Sequence, residues 1–375
     1  MKRNQIAIII PAHNEELVIA RTLEALSGQI ETRHVYLIDD GSKDQTANFA
    51  KQYLPKNRVL TIKNGGKAHA IGTGIKKFNL TERYDYIMIH DADTRMQSGF
   101  IEYILEVFNQ DENKQIACVM GQVITDDHNW VTSYRVWEYA IGQLIHKQAQ
   151  SLINAITVSP GCSSVYRSEV FIKTEMPTGT VTEDMDLTFE IHRQNIGKLV
   201  YQPLAKMQTQ DPGTLRDYYK QVQRWYGGFW QCVFKHNIPW GGQKLDFEVA
   251  LMAFEGLLQP LIFFLTLLIG IQYYFTGNVD GRLSTYLIID LLVFVMPTII
   301  WASLISKRYK LPMYVAHFYL LRTFSGLVFL YAFIREIHRY GLRHKSGWST
   351  NRYTIEDESQ SDPILINGSS IITTS

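Results

Sequence analysis

Ile6-Ala7-Ile8-Ile9-Ile10-Pro11-Ala12-His13-Asn14-Glu15 decides how this chain is read. Ile6 to Ile10 is a short, mostly β-branched apolar run stopped by Pro11, which predicts a buried strand. Glu15 to Leu26 then carries apolar residues at helical spacing (Leu17, Val18, Leu23, Leu26) and closes at Gly28. The alternation repeats. Val35 to Ile38 predicts a second strand, followed by a helix capped by Asp44 and running through Tyr53. Arg58 to Ile62 predicts a third strand, Lys67 to Phe78 a helix, and Tyr86 to His90 a fourth strand. Strands alternating with helices imply parallel βαβ units covered on both faces. In such sheets ligands bind beyond the carboxyl ends of the strands.

Polar residues follow each of these strands. After the first, Pro11 fixes the exit turn, and Asn14 and Glu15 can hydrogen-bond a base or cap the next helix. After the second comes Asp39-Asp40-Gly41-Ser42-Lys43-Asp44-Gln45-Thr46, whose adjacent carboxylates repel unless a ligand, a cation or hydrogen bonds compensate them. After the third comes Asn64-Gly65-Gly66-Lys67-Ala68-His69-Ala70. Glycine amides and an ammonium at a helix start suit an anion, although a plain glycine turn reads the same way. After the fourth comes His90-Asp91-Ala92-Asp93-Thr94. A DxD at a strand end lets both carboxylates approach one hard cation, Mg²⁺ or Mn²⁺, able to bridge a nucleotide diphosphate.

Further on, Ile116 to Val123 predicts another strand and Trp130 to Gln150 a long helix rich in Trp, Tyr and Gln. Ser159-Pro160-Gly161-Cys162-Ser163-Ser164-Val165-Tyr166-Arg167 is a small-residue segment that permits close backbone approach. Thr182-Glu183-Asp184 opens a helix over Met185 to Gln194; its acids either favour the helix dipole or offer a base. From Leu215, apolar positions Tyr218, Tyr219, Val222, Trp225, Tyr226, Phe229, Trp230 and Val233 keep helical spacing. That amphipathic helix carries Gln221, Arg224 and Trp225 on one side, and its aromatic stripe suits a core or a membrane headgroup zone.

The totals bound the rest. The chain has 375 residues, enough for one large or two ordinary domains, and a net charge of +1 that gives no bulk pull toward nucleic acid. Its mean hydropathy of −0.10 averages two unlike halves, mixed up to about residue 245 and largely apolar from Glu248 to Ile334. Cys118, Cys162 and Cys232 have no CxxC spacing, which fits a reducing compartment and no disulfide framework. The run after Met1-Lys2-Arg3-Asn4 is too short for a signal peptide, so residues 1–240 are expected to form a cytosolic domain.

Three apolar segments, about 249–275, 283–305 and 311–334, make 241–340 the expected membrane region. Gly256 to Phe275 is uncharged and long enough for a ~30 Å hydrocarbon core. The second segment carries Asp290 and Pro297, the third His317 and Arg322. Lys307-Arg308-Tyr309-Lys310 and the Arg335 to Lys345 stretch are basic, and the positive-inside rule places both in the cytosol. Two full crossings plus a third segment that lies at the interface or re-enters satisfy that, and this arrangement is preferred to three full crossings. Asp290 and Arg322, costly at membrane depth, are candidates to line a passage. The remainder, 341–375, reads as a cytosolic tail with a disordered, Ser/Thr-rich end.

Taken together the motifs resemble the family 2 glycosyltransferases, specifically the membrane-embedded branch with cellulose, chitin, hyaluronan and poly-N-acetylglucosamine synthases. The matching pieces are Pro11 to Glu15, Asp39-Asp40-Gly41-Ser42, Asn64 to Ala70, Asp91-Ala92-Asp93, Ser159 to Arg167, Thr182-Glu183-Asp184 and Gln221-x-x-Arg224-Trp225, in the family's order. Trp348-Ser349-Thr350-Asn351-Arg352 resembles a short motif that closes some of these synthases.

The resemblance implies an α/β, Rossmann-like GT-A (nucleotide-diphospho-sugar transferase) domain followed by transmembrane helices. It implies that Pro11, Ala12, Glu15, Asp39 and Asp40 contact the nucleoside of a UDP-sugar, with Lys67 nearby. Asp91 and Asp93 would bind the diphosphate through Mg²⁺ or Mn²⁺, and Asp184 would be the general base. Glu183, Gln221, Arg224 and Trp225 would hold the leaving group and the acceptor sugar. The expected enzyme is an inverting, metal-dependent hexosyltransferase in the cell membrane, multi-pass, with its catalytic domain in the cytosol. It would extend a β-linked polysaccharide or, alternatively, add one sugar to a membrane lipid. Its partners would be the nucleotide-sugar donor, a saccharide or lipid acceptor, membrane lipids and either a second copy or an accessory membrane subunit.

Overall fold

The computed structural model describes residues 5–125, 128–277, 285 and 288–342. Strands and helices alternate as the hydrophobic pattern predicts: β1 (Ile6–Ala12), α1 (Ile19–Ser27), β2 (Val35–Asp39), α2 (Thr46–Tyr53), β3 (Val59–Thr61), α3 (Lys67–Lys77), α4 (Leu80–Arg83) and β4 (Tyr86–Ile89). Helix α1 starts at Ile19, not Glu15, because Asn14 turns through a left-handed conformation (φ 57°) before the helix begins. Along β1, Ile6, Ile8, Ile10 and Ala12 face one core while Ala7 and Ile9 face the other, the period of two expected of a central strand. Gly74 lets α3 lie directly on this sheet, since a Cβ there would sit 2.6 Å from the tip of Ile38.

Then follow β5 (Arg95–Met96), α5 (Phe100–Gln110), β6 (Ile116–Thr125), α6 (Trp130–Tyr139), α7 (Gln148–Ile153), β7 (Ser164–Arg167), α8 (Val170–Lys173), α9 (Glu183–Arg193) and β8 (Lys198–Thr209). The eight strands form one sheet in the order β3-β2-β1-β4-β7-β6-β8-β5. It is mixed rather than wholly parallel: β7 runs antiparallel to β4 and β6, and β5 to β8. Three of these strands carry no clear sequence signal. The small-residue segment after Pro160 becomes β7, and β8 is interrupted at Pro203, where the pairing jumps from Gly121–Gln202 to Gln122–Lys206. The predicted helix over Trp130 to Gln150 is α-helical at its ends but π-helical over Ala140–Lys147.

Four further helices follow among the described residues: α10 (Leu215–Lys235), α11 (Lys244–Thr276), α12 (Met296–Ser306) and α13 (Val315–Leu342). The aromatic stripe of α10 is core rather than interface. Tyr218 and Val222 pack with Tyr134, Trp137 and Phe318, while Phe229 and Trp230 pack with Phe329 and Ala332. The outer faces of α11 and α13 expose Leu261, Phe264, Leu268, Leu320 and Ile334. Among the described residues one helix, Leu311–Arg339, is long and apolar enough to cross a membrane. It covers the third of the expected segments, the one expected to lie at the interface or re-enter. Asp290 and Arg322, the two candidates to line a passage, form an ion pair at 2.8 Å. Trp348 to Arg352 and the rest of the tail beyond residue 342, like residues 278–284, lie outside the described residues.

Candidate active site

One cavity of about 1020 Å³ opens at the carboxyl ends of β1, β2 and β4 and reaches α10 and α13. Pro11, Ala12, Glu15, Asp40, Lys67, Asp91, Asp93, Glu183, Asp184, Gln221, Arg224 and Trp225 all line it. Of the residues to which the resemblance assigns a role in the site, Asp39 alone is not part of this lining. β2 ends at Asp39 and Asp40 stands one residue beyond it; strand alternation carried across that step turns the two carboxylates to different partners.

Both are compensated by backbone amides. Asp39 Oδ1 accepts from the Ser42 N–H (3.1 Å), and the Asp40 carboxylate accepts from the Gly65 and Gly66 N–H groups, each at 2.8 Å. The glycine amides before α3 therefore serve Asp40 rather than standing open to an anion. Gly66 has φ 90° with an extended ψ, a conformation nearly restricted to glycine, and this aims its amide at Asp40. His13 adds a third tie, donating through Nδ1 to the Asp40 carbonyl (2.8 Å).

Lys67 leaves the start of α3 and reaches the centre of the cavity, not a separate phosphate loop. Its Nζ lies 2.6 Å from Asp91 Oδ1 and 3.0 Å from Glu183 Oε1. Burial disfavours its charge, yet Asp91 and then Glu183 hold its pKa well above the usual lysine value. Gly161 makes room for this ammonium: a Cβ there would stand 2.9 Å from Nζ. The close backbone approach expected of the Ser159 to Arg167 segment is thus made, and its partner is Lys67.

Behind the DxD turn, burial pushes the His90 pKa down to about 4, and its Nδ1 donates to the Asp91 carbonyl (2.8 Å). Asp184 accepts from the Met185 N–H (2.8 Å) and the Gly161 N–H (3.3 Å). Burial and the Glu183 charge nevertheless raise its pKa above the ordinary carboxylate value. Asp91 and Glu183 flank the Lys67 ammonium, and with Asp93 and Asp184 they line the cavity with hard oxygens, a donor chemistry that fits a divalent cation such as Mg²⁺ or Mn²⁺. A second acidic group lies off the cavity: Asp186, Glu190 and His236 bring ligand atoms within 4.8 Å of one another. Lys235 and His236 already bond the Asp186 carboxylate, at 2.8 and 2.7 Å, tying α9 to the end of α10.

The helical wall depends on a residue that periodicity did not single out. Arg135 of α6 is 1% exposed, donates to Gln221 Oε1, and lies over the rings of Tyr218 and Trp225 at 4.6 and 4.7 Å. Glu138 (2.6 Å) and Asp211 (3.6 Å) neutralise it. The i, i+3 spacing of Arg135 and Glu138 is the one signal the sequence carried. Arg224 points into the same cavity and makes no ion pair among the described residues. Lys147, at the end of the π-helical stretch, also lines the cavity and was likewise not anticipated.

Comparison with known proteins places the chain. The profile described as "Glycosyltransferase like family 2" matches residues 3–228. The chain belongs to this family. It is 27% identical over 271 residues to a poly-β-1,6-N-acetyl-D-glucosamine synthase of Staphylococcus aureus (strain COL), a match covering 70% of this chain and 63% of that protein. The chain thus spans less than two thirds of the length of that relative. The corresponding synthase of Staphylococcus epidermidis is 25% identical over 334 residues, covering 87% of this chain and 78% of that one. Among solved structures, a mannosyltransferase from Pyrobaculum calidifontis, in complex with GDP-Man and Mn²⁺, superposes with a TM-score of 0.56 at 16% identity, covering 90% and 88% of the two chains. That likeness concerns the fold, and the α/β GT-A-like architecture agrees with it.

Proposed function

We propose that this chain is an inverting glycosyltransferase that moves a sugar from a nucleotide-diphospho-sugar to a growing β-linked polysaccharide at the membrane. The observation that carries the reading is the convergence of four strand-end motifs with Asp184 and Arg224 on one cavity. The names of the related synthases support N-acetylglucosamine as the sugar; UDP as its carrier is part of the proposal.

In this reading Pro11, Ala12, Glu15 and Asp40 receive the nucleoside, with Asp39 acting only by shaping the turn. Asp91 and Asp93 would hold Mg²⁺ or Mn²⁺, which when bound supplies Lewis-acid stabilisation of the diphosphate. Asp184 takes the proton of the acceptor hydroxyl as that oxygen bonds to the anomeric carbon from the face opposite the diphosphate. The bond from the anomeric carbon to the phosphate oxygen breaks, its electron pair leaves with the nucleoside diphosphate, and the configuration inverts. Arg224 meets the negative charge of the departing group. Trp225 offers a flat face to the acceptor sugar, and Gln221 and Glu183 offer hydrogen bonds to it. Lys67 keeps Asp91 and Glu183 apart in charge until donor and cation arrive. Residues 1–240 form the catalytic domain, and residues 241–340 are the membrane region, through the exposed apolar faces of α11 and α13.

Incubating the full chain in lipid with labelled UDP-N-acetylglucosamine and Mn²⁺ tests this. A labelled product of high mass is expected. A single-sugar product extracted into organic solvent instead makes a lipid the acceptor, and no transfer from any UDP-sugar overturns the reading.

A further inference from the structure

The π-helical turns of Ala140–Lys147 are uncommon, and such turns recur at functional sites. Here they deliver three buried polar side chains to the cavity, Gln143, Lys147 and, just beyond, Gln150, beside the exposed His146. Gln143 is occupied by backbone, donating to the Val123 carbonyl (2.8 Å) and accepting from its N–H (2.7 Å). Gln150 donates to Glu248 of α11 (2.9 Å). Lys147 differs. Its Nζ donates to the Val158 carbonyl at 2.9 Å and makes no ion pair among the described residues. An ammonium carries three donors, so capacity remains on a side chain only 5% exposed that lines the cavity. Burying a cation in this way is costly unless something in the cavity completes its hydrogen bonds.

Location narrows what that something is. The nucleoside motifs stand at the ends of β1 and β2, and Lys67 already serves Asp91. Lys147 Nζ holds the Val158 carbonyl, three residues before Gly161, whose N–H donates to Asp184 (3.3 Å); the Asp184 charge in turn holds up a Lys147 pKa that burial lowers to about 8. Lys147 therefore belongs to the side of the cavity where the acceptor hydroxyl meets its base.

We propose that Lys147 is a specificity-determining residue of the acceptor-sugar subsite, donating to the acyl carbonyl oxygen of an N-acetylated acceptor sugar. The inference rests on the reading of Asp184 as the base. No bond is made or broken at Lys147. A carbonyl oxygen completes the ammonium's hydrogen bonds, whereas the amine of a de-acetylated sugar brings a second cation into the same buried space.

The test uses the full chain in lipid, UDP-N-acetylglucosamine with Mn²⁺, and two acceptors: a β-1,6-linked N-acetylglucosamine pentamer and its fully de-acetylated form. Wild type is expected to prefer the acetylated pentamer. Lys147→Met is expected to raise the KM for that pentamer about tenfold or more and to erase the preference, with the KM for donor unchanged. Lys147→Arg should restore part of it. Equal use of both pentamers by wild type, or a Lys147→Met protein with native melting behaviour and an unchanged acceptor KM, overturns the proposal while leaving the proposed function standing. A shift in the donor KM alone also overturns it. Should Lys147→Met fail to fold, the wild-type preference and Lys147→Arg decide. Absence of any transfer by wild type sinks the proposed function, and this inference with it.

Discussion

The two walls of the cavity are built on different principles. On the sheet side, Asp40 is gripped by two backbone amides and one imidazole, and those amides are fixed by a glycine conformation and a strand end. On the helical side, Gln221 and Trp225 are held by Arg135, a side chain arriving from another helix and balanced by Glu138 and Asp211. Backbone-held geometry survives most side-chain changes. Geometry held through one buried cation does not, because deleting the cation strips counter-charge from its neighbours. The asymmetry suits a transferase whose donor site must be formed before the acceptor arrives.

The largest expected effect falls where the walls meet. Asp184→Asn should lower kcat by roughly 10²–10⁴-fold, the usual worth of a positioned base, with donor affinity retained. Because burial and Glu183 raise the Asp184 pKa, activity should fall, as pH drops, at a value above the ordinary carboxylate range. Glu183→Gln removes one of the raising charges, so that acid limb should move to lower pH. A kcat–pH profile for the two proteins checks the sign. An unmoved limb means that Asp184 is not the group titrating.

Next comes the helical wall. Arg135→Met should cost roughly 3–5 kcal/mol of stability, the scale for breaking one side of a buried pair. Arg135→Lys should fall between, keeping charge but losing the fork that reaches Gln221 and Glu138 together. Denaturant melts in lipid or detergent measure the stability, and acceptor KM reports the loosened Gln221 and Trp225. If Arg135→Met melts like wild type, the contrast between the walls fails.

How far the sequence foretold this arrangement differs along the same line. The sheet wall was legible because β-branched runs such as Ile6 to Ile10 and Tyr86 to Ile89 carry their own signal, and because ligands collect at strand ends whatever the details. The split of Asp39 from Asp40 was legible too, had the strand period been carried one residue further. The helical wall was not. An aromatic stripe like that of α10 suits a core and a headgroup zone equally, so its burial against α6 and α13 had to be seen. Arg135 meets Gln221 across 86 positions, and Arg322 meets Asp290 across 32, with no periodicity linking either pair. Strands β5, β7 and β8 are very short or broken by Pro203, and take their identity from neighbours already in place.

A smaller effect probes the sheet wall through its packing. A Cβ at residue 74 would stand 2.6–2.7 Å from the tips of Ile38 and Ile9, so Gly74→Ala forces α3 off the sheet. The cost should be about 1–3 kcal/mol, the range for overpacking, partly offset by alanine's better helix propensity. Donor KM should rise with it, since α3 carries Lys67 and follows the amides that hold Asp40, while acceptor KM should stay unchanged. A stabilised Gly74→Ala protein would mean that this packing is slack.

The last comparison separates the two adjacent acids. Asp40→Asn replaces a carboxylate accepting two amide hydrogens by a group that can satisfy only one of them, and it does so inside the cavity. A loss of about 1.5–3 kcal/mol is expected, read mainly as donor KM. Asp39→Asn removes charge from a residue with a single 3.1 Å contact outside the lining, and donor KM should move little. Equal losses at both positions would show that the pair acts together on the nucleoside, as adjacency in sequence suggests. Unequal losses show that the strand period, by sending one acid to the ligand and the other to its own turn, has given neighbouring residues separate tasks.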